Sequence, residues 1–192
     1  TYGTVYLGHS KLKHGKETIK VAIKCINISY LTSEAAHLLK QEESIMKTLF
    51  HPCIVLLYSS TLFQTNYYLI MEYCSGGDLK EFIAKHNTLN DATVFALMKQ
   101  LVEGYKFLYA KNILHRDLKP ANILLHEGIG KFADFGLSKI VKEDLQVNTT
   151  LVGTPLYLAP EVALNFAYDS KCDIFSLGCI IYACLVGNSP LC

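Results

Sequence analysis

The sequence predicts an α+β protein of two unequal lobes, a small β-rich one followed by a larger, mainly helical one. Three observations carry this expectation. Strand-like runs are concentrated in the first third of the chain. Helical spacing of apolar residues prevails after the SGGDL turn. Apolar residues make up 51% of the 192, enough to fill one sizeable core or two small lobes that share one, and too many for a disordered chain.

The elements follow in order. VYLG and VAIKCINI read as two strands around the polar hairpin Lys11–Lys20. Residues 34–49 read as a helix, because Leu38, Leu39, Ile45, Met46 and Leu49 recur at helical spacing, with Ser33 as N-cap and Glu34 in the first turn. IVLLY and YYLIMEY read as two more strands, and SGGDL as a turn into a helix. Residues 91–110 form a long helical pattern with Phe95, Met98, Leu101, Tyr105 and Leu108 on one face. Short strands and loops then run from Lys111 to Glu161. Residues 170–186 are apolar nearly all round, which predicts a helix buried on every side. Its most apolar part, Ile174 to Val186, falls short of the ~20 residues that span a bilayer.

Net charge is +1, so nothing draws the chain to nucleic acid or to a membrane surface. The seven cysteines are scattered and show no CxxC spacing. That argues against a disulfide framework or a zinc cluster and for a reducing, intracellular (cytoplasmic) setting. The chain begins at Thr1 rather than Met and ends in SPLC without a closing element, so it reads as truncated at both ends.

Five strings bear on chemistry. Gly3-Thr-Val5 sits where a glycine would let backbone amides approach phosphate oxygens, although a lone glycine more often marks a turn. Lys24 ends VAIK on a strand; alone it is an edge-strand lysine, but a lysine held for phosphate needs a carboxylate to orient it. Glu42 is the best candidate for that role, and Glu43 is its rival, unless Glu43 is simply a solvated helix charge. HRDLKPAN, residues 115–122, is the most specific string. It offers a carboxylate at Asp117 to accept the proton of an attacking hydroxyl, a cation at Lys119 for the γ-phosphate, and an amide at Asn122 for Mg²⁺, which prefers oxygen ligands. Asp134, opening DFG after the strand KFA, reads as a second and stronger metal ligand, and Thr154 of GTPLYLAPE has a hydroxyl that could bond Asp117.

Gly3/Val5, VAIK, HRDLKPAN, DFG and APE stand in the order of the protein-kinase signature set. Essentially the whole chain thus resembles the eukaryotic-type serine/threonine protein kinases. The resemblance implies the bilobal protein-kinase fold, with residues 1–71 as the N-lobe carrying helix C, 72–78 as the hinge and 79–192 as part of the C-lobe. It implies transfer of the γ-phosphate of ATP, with Mg²⁺, to serine and threonine hydroxyls of protein substrates.

Residue by residue, the resemblance makes Glu42 the helix-C partner of Lys24, and Met71 the gatekeeper. Glu72 and Cys74 become the hinge residues whose backbone meets adenine. Asp78 becomes the ribose-contacting acid, and Val5, Ala22 and Leu124 the apolar sandwich around adenine. Met46, Leu57, His115 and Phe135 match the stacked spine of the active state, and Asp173 the acid that anchors the catalytic loop.

Lys119 and Thr154 match serine/threonine rather than tyrosine kinases. Thr150 matches the activating phosphorylation site, with Thr149 its competitor and Arg116 and Lys139 the cations that would receive the phosphate. LIMEYCSGGDLKEFI and LLKQEESIMKTLFHPCIV resemble the autophagy-initiating kinases, whereas DFGLSK and YDSKCDIFSLG are similar to calcium/calmodulin-dependent kinases. Phe175 stands where most of the family has Trp, Cys53 where most have Asn, and no arginine follows to pair with Glu161.

Overall fold

The computed structural model describes residues 3–11, 18–141 and 153–191. Strands β1 (Thr4–Lys11), β2 (Thr18–Asn27), β3 (Leu57–Phe63) and β4 (Asn66–Glu72) form an antiparallel sheet in the order β1-β2-β4-β3. The strands reach further into the predicted Lys11–Lys20 hairpin than expected, to Lys11 and from Thr18. Val5 lies opposite Lys24 and Lys24 opposite Leu69, while Leu7, Ala22 and Met71 are aligned in the same way. Directly opposed residues share a face of the sheet, so all six line one side of it.

The IVLLY strand is corrected: only its last two residues belong to β3. Ile54 and Val55 leave the sheet and bond across to the larger lobe, Val55 N donating to the Phe132 carbonyl at 2.9 Å. A short apolar run is equally compatible with a strand and with a buried loop, and here the partner is Phe132.

Helix α1 (Ser33–Met46) packs beside the sheet and buries Leu39, Glu42, Ile45 and Met46. Thr32, not Ser33, is its N-cap: the Thr32 hydroxyl accepts the Ala35 amide at 3.2 Å. The helix ends three residues earlier than predicted, where the Thr48 and Leu49 amides turn back to the carbonyls of Ile45 and Met46.

The larger lobe is built around α3 (Asp91–Ala110) and α5 (Lys171–Val186), with α2 (Leu79–His86) and the short α4 (Pro160–Ala163) at its rim. Two hairpin-like pairs lie on α3. Strand β5 (Ile113–Leu114) pairs with β8 (Lys139–Ile140), and β6 (Ile123–His126) with β7 (Ile129–Phe132). The buried stripe of α3 is Val94, Leu97, Leu101, Gly104, Tyr105 and Leu108. Phe95, predicted on that face, is instead 74% exposed, because the stripe runs through its neighbour Val94. Gly104 is needed where it stands, since a Cβ there would meet the Phe132 ring at 3.0 Å.

Helix α5 corrects the expectation of all-round burial. Leu177, Ile180, Ala183 and Cys184 face the core, while Ile174, Tyr182, Leu185 and Val186 are exposed on the opposite side. An apolar composition states only that burial would be favourable; α3 and the 3-10 turn Pro155–Tyr157 cover one side of the helix. Among the described residues no helix is long and apolar enough to cross a membrane.

Candidate active site

The cleft between the lobes holds two clusters of charge. The upper one begins with Lys24, which β2 directs to the face shared with Leu69. Its Nζ lies 2.7 Å from Glu42 Oε1 and 3.3 Å from Asp134 Oδ1. Lys24 and Glu42 are 6% and 5% exposed, and charges so buried require partners. Burial works against the ammonium, but Glu42 and Asp134 outweigh it and hold Lys24 above the ordinary lysine range. Gly136 lies beside both carboxylates, at ordinary contact distance: a Cβ there would stand 3.4 Å from Asp134 and from Glu42. Glu43, the rival carboxylate, turns away. It accepts from Ser60 on β3 and pairs with Lys47, so it is a clasp between α1 and the sheet rather than a solvated charge.

The lower cluster is the octet folded on itself. Asp117 Oδ2 accepts from Lys119 Nζ at 2.8 Å and from Asn122 Nδ2 at 2.9 Å. Asp117 Oδ1 accepts the Thr154 hydroxyl at 2.8 Å, and Thr154 in turn accepts from Lys119 at 2.7 Å. The 3-10 turn Pro120–Asn122 places Asn122 beside Asp117, where its amide nitrogen also bonds the Asp117 carbonyl at 2.8 Å. That turns the Asn122 carbonyl oxygen away from Asp117 and leaves it available as a ligand.

Behind the octet stands Asp173 of α5, which is 1% exposed. Its two oxygens accept the amides of His115 at 2.8 Å and Arg116 at 2.9 Å. Burial raises the pKa of Asp173, with the His115 and Arg116 contacts opposing. The grip matters because Arg116 has φ 66°, and Asp134, across the cleft, has φ 58°. Non-glycine residues in this region cost on the order of 1–3 kcal/mol each and persist only where surroundings hold them.

The four spine residues come together. Met46 and Phe135 share the main core with Leu57 packed against it, and the rings of His115 and Phe135 lie 5.0 Å apart. His115 Nε2 bonds the Ala133 carbonyl at 3.0 Å, so that nitrogen carries the proton.

At the hinge, Met71 faces Ala22, and Leu124 of β6 is bridged to Asp78. The Cys74 amide and carbonyl make no backbone hydrogen bond among the described residues. Asp78 also serves the fold, since one of its oxygens caps α2 by accepting the Glu81 amide at 2.8 Å. Val5 is 59% exposed on the cleft face of the sheet. Gly3, at φ 142°, lies so close to β2 that a Cβ would stand 2.6 Å from the Cys25 carbonyl oxygen.

Sequence reasoning missed Lys131. This buried lysine bonds Glu72 at 2.9 Å and the Pro52 carbonyl at 2.7 Å, tying the hinge to β7 and to the loop after α1. Its one signal was a charged residue inside a strand whose neighbours are buried.

The Arg116 guanidinium bonds the Leu137 carbonyl at 2.7 Å and the Tyr168 hydroxyl at 3.2 Å, and Lys139 stands opposite Leu114 in the β5–β8 pair. Thr150 and Thr149 lie outside the described residues. Among the described residues Glu161 makes no ion pair.

A cavity of ≈ 280 Å³ opens onto both clusters, lined by Lys24, Glu42, Asp117, Lys119, Asp134 and Thr154. Two cations face this partly open space beside carboxylates, an arrangement suited to a polyphosphate and a hydroxyl, with Ile26, Leu31, Leu38 and Leu39 forming an apolar wall. Among the described residues no three His, Cys, Asp or Glu side chains gather as a self-sufficient metal site. Asn122 and Asp134 instead offer hard oxygen donors, the set that suits Mg²⁺ shared with phosphate.

Comparison with known proteins gives a consistent result. The family described as Protein kinase domain matches residues 1–192. The chain is 39% identical to the human serine/threonine-protein kinase ULK1, covering 98% of this chain and 18% of that protein. It is 39% identical to the serine/threonine-protein kinase ULK3 of Xenopus laevis, over 99% of this chain and 40% of the relative. Identity to the serine/threonine-protein kinase ATG1a of Arabidopsis thaliana is 36%, over 93% and 29%. The chain therefore spans well under half the length of each of these relatives.

Proposed function

The chain belongs to the protein kinase family, and from that premise we propose that it transfers the γ-phosphate of ATP to serine and threonine hydroxyls of protein substrates. The observation that supports this most directly is the Asp117 carboxylate, held by Lys119, Asn122 and Thr154 at 2.7–2.9 Å within one network. A carboxylate so placed orients an incoming hydroxyl and takes its proton. Lys119, next to it, neutralises charge on the γ-phosphate. Lys24, kept charged and aimed by Glu42, holds the α- and β-phosphates.

Asn122 and Asp134 would hold Mg²⁺, which when bound offsets the charge of the β- and γ-phosphates. Adenine is assigned to the space between Val5, Ala22 and Leu124, against the hinge backbone at Glu72 and Cys74 and beside Met71. Gly3 closes over the phosphates. The oxygen of Asp78 not used in capping α2 is assigned to ribose. The hinge of this reading is 72–78, between an N-lobe of 1–71 and C-lobe residues 79–192.

Lys119 and Thr154 make a shallow site that favours a short hydroxyl. Similarity to ULK1 and ATG1a supports the autophagy-initiating branch over the calcium/calmodulin-dependent one, and an intracellular setting. Phosphorylation of Thr150 is proposed to activate the enzyme through Arg116 and Lys139. Thr150→Ala should then lower activity after incubation with ATP while Thr149→Ala does not; the reverse pattern reassigns the site.

The deciding experiment is incubation of the full-length protein with γ-labelled ATP, Mg²⁺ and a degenerate peptide library. Label is expected on serine and threonine. Predominant tyrosine labelling overturns the selectivity, and no transfer at all overturns the activity.

A further inference from the structure

Tyr105 lies in the buried stripe of α3, among positions otherwise held by aliphatic residues and glycine. It is 5% exposed. A phenol at such a depth needs a partner for its hydroxyl. This one donates its proton to the Ser170 carbonyl at 2.9 Å, with the Asp173 carboxylate close by. Ser170 is the residue on which α5 begins, and its own side chain makes no capping bond. The hydroxyl therefore reaches the turn of α5 that carries Asp173.

What Asp173 holds is the catalytic loop. Both its oxygens are committed to the His115 and Arg116 amides, and Arg116 is in the left-handed region at φ 66°. Asp117 is the next residue. The contacts thus run from α3 through Asp173 to the residue that faces the hydroxyl substrate. In a site shut off from water a hydrogen bond that fixes the start of α5 counts for more than it would at the surface. Burial and the neighbouring Asp173 also raise the Tyr105 pKa far above the usual phenol range, so the donor keeps its proton.

We propose that Tyr105 is a positioning residue for phosphoryl transfer: by holding the Ser170 carbonyl at the start of α5, its hydroxyl keeps Asp173 where that carboxylate fixes the His115 and Arg116 amides, and hence the direction of Asp117. The catalytic part of this inference rests on Asp117 acting as the base of the proposed kinase reaction; the structural part does not.

Tyr105→Phe in the full-length protein removes one oxygen and keeps the ring. The expected result is a retained cooperative melt, a KM for ATP within about twofold, and a kcat lower by about tenfold. Amide exchange at His115 and Arg116 should quicken by about tenfold, while exchange elsewhere in α3 and α5 stays as it was. If kcat is unchanged, or if it falls without faster exchange at those two amides, the hydroxyl does not act through Asp173 and the inference is overturned.

Should the wild type transfer no phosphate, the kinase reading fails by itself, and the two amides still decide whether Tyr105 holds the loop. Should Tyr105→Phe not fold, 3-fluorotyrosine at 105 keeps the ring and strengthens the donor. Slower exchange at His115 and Arg116 then supports the role, and unchanged exchange overturns it.

Discussion

The two charge clusters of the cleft are built in opposite ways. The lower one, around Asp117, takes three of its four side chains from a single octet; only Thr154 comes from elsewhere. The upper one joins Lys24 to partners 18 and 110 residues away, Glu42 and Asp134. A short loop can close the lower cluster once its backbone is held. The upper cluster exists only if α1, the sheet and the DFG segment are all in place, so it reports the relative position of three elements. On the proposed reading, chemistry belongs to the lower cluster, and conformational sensitivity to the upper.

The largest effect is expected where each cluster loses its central group. Asp117→Asn and Lys24→Met should each lower kcat/KM by at least about 10²–10³-fold. The two should differ in kind. Asp117→Asn should keep nucleotide binding, because the residues proposed to meet adenine and the α- and β-phosphates remain. Lys24→Met should weaken both binding and turnover, since it removes the cation proposed to meet the α- and β-phosphates. Nucleotide titration alongside peptide phosphorylation checks this, and equal ATP affinity in the two variants would erase the distinction.

The same contrast explains what could be read from the residues alone. The octet, DFG and VAIK were visible because their chemistry is local, and the sheet was visible because strand patterning is local too. The preference for Glu42 over Glu43 rested on the resemblance, not on what either carboxylate could be seen to touch. Both lie on α1, and only the sheet's position shows that Glu43 meets Ser60 while Glu42 meets Lys24. Lys131 and the hydroxyl of Tyr105 were missed for the same reason, since their partners Glu72, Pro52 and Ser170 are distant in sequence. Phe95 and the outer face of α5 failed differently: periodicity shows which residues could be buried, and tertiary neighbours decide which are.

Glu42→Gln against Glu43→Gln sharpens the comparison at the next level. Glu42→Gln leaves Lys24 with Asp134 alone, at the longer 3.3 Å. It should cost on the order of 1.5–3 kcal/mol of stability, as for a lost hydrogen bond to a charged group, and about tenfold in kcat/KM. Glu43→Gln, away from the cavity, should change kcat/KM by less than about threefold. Equal losses in the two variants would contradict the assignment of the upper cluster to Glu42.

A smaller effect tests the lower cluster from its distant member. Thr154→Ala removes one donor to Asp117 and one acceptor for Lys119, both at 2.7–2.8 Å. Loss of one neutral hydroxyl should reduce kcat by about five- to tenfold, and Thr154→Ser should restore most of it. Failure of serine to rescue would show that the threonine methyl, rather than the hydroxyl, is what matters.

The smallest effect concerns how α1 is kept in place for the upper cluster. Burial alone would raise the pKa of Glu43, but hydrogen bonds from Lys47, Ser60 and Tyr67 bring it down from 4.5 to about 2. A carboxylate whose pKa is lower in the folded state stabilises the fold above its unfolded value and loses that contribution as pH falls toward the folded value. The clasp between α1 and β3 should therefore be intact at pH 6 and weaken progressively between about pH 4.5 and 2. Lys24 cannot produce this change. Its pKa is raised from 10.5, so its contribution is complete below that value and is lost only as pH climbs through the still higher folded value. Glu43→Gln carries no charge to titrate. Denaturant midpoints of wild type and Glu43→Gln should thus differ most near pH 6 and converge as pH approaches 2–3. A gap that stays constant across that range would show that the Glu43 carboxylate is not what fastens α1 to the sheet.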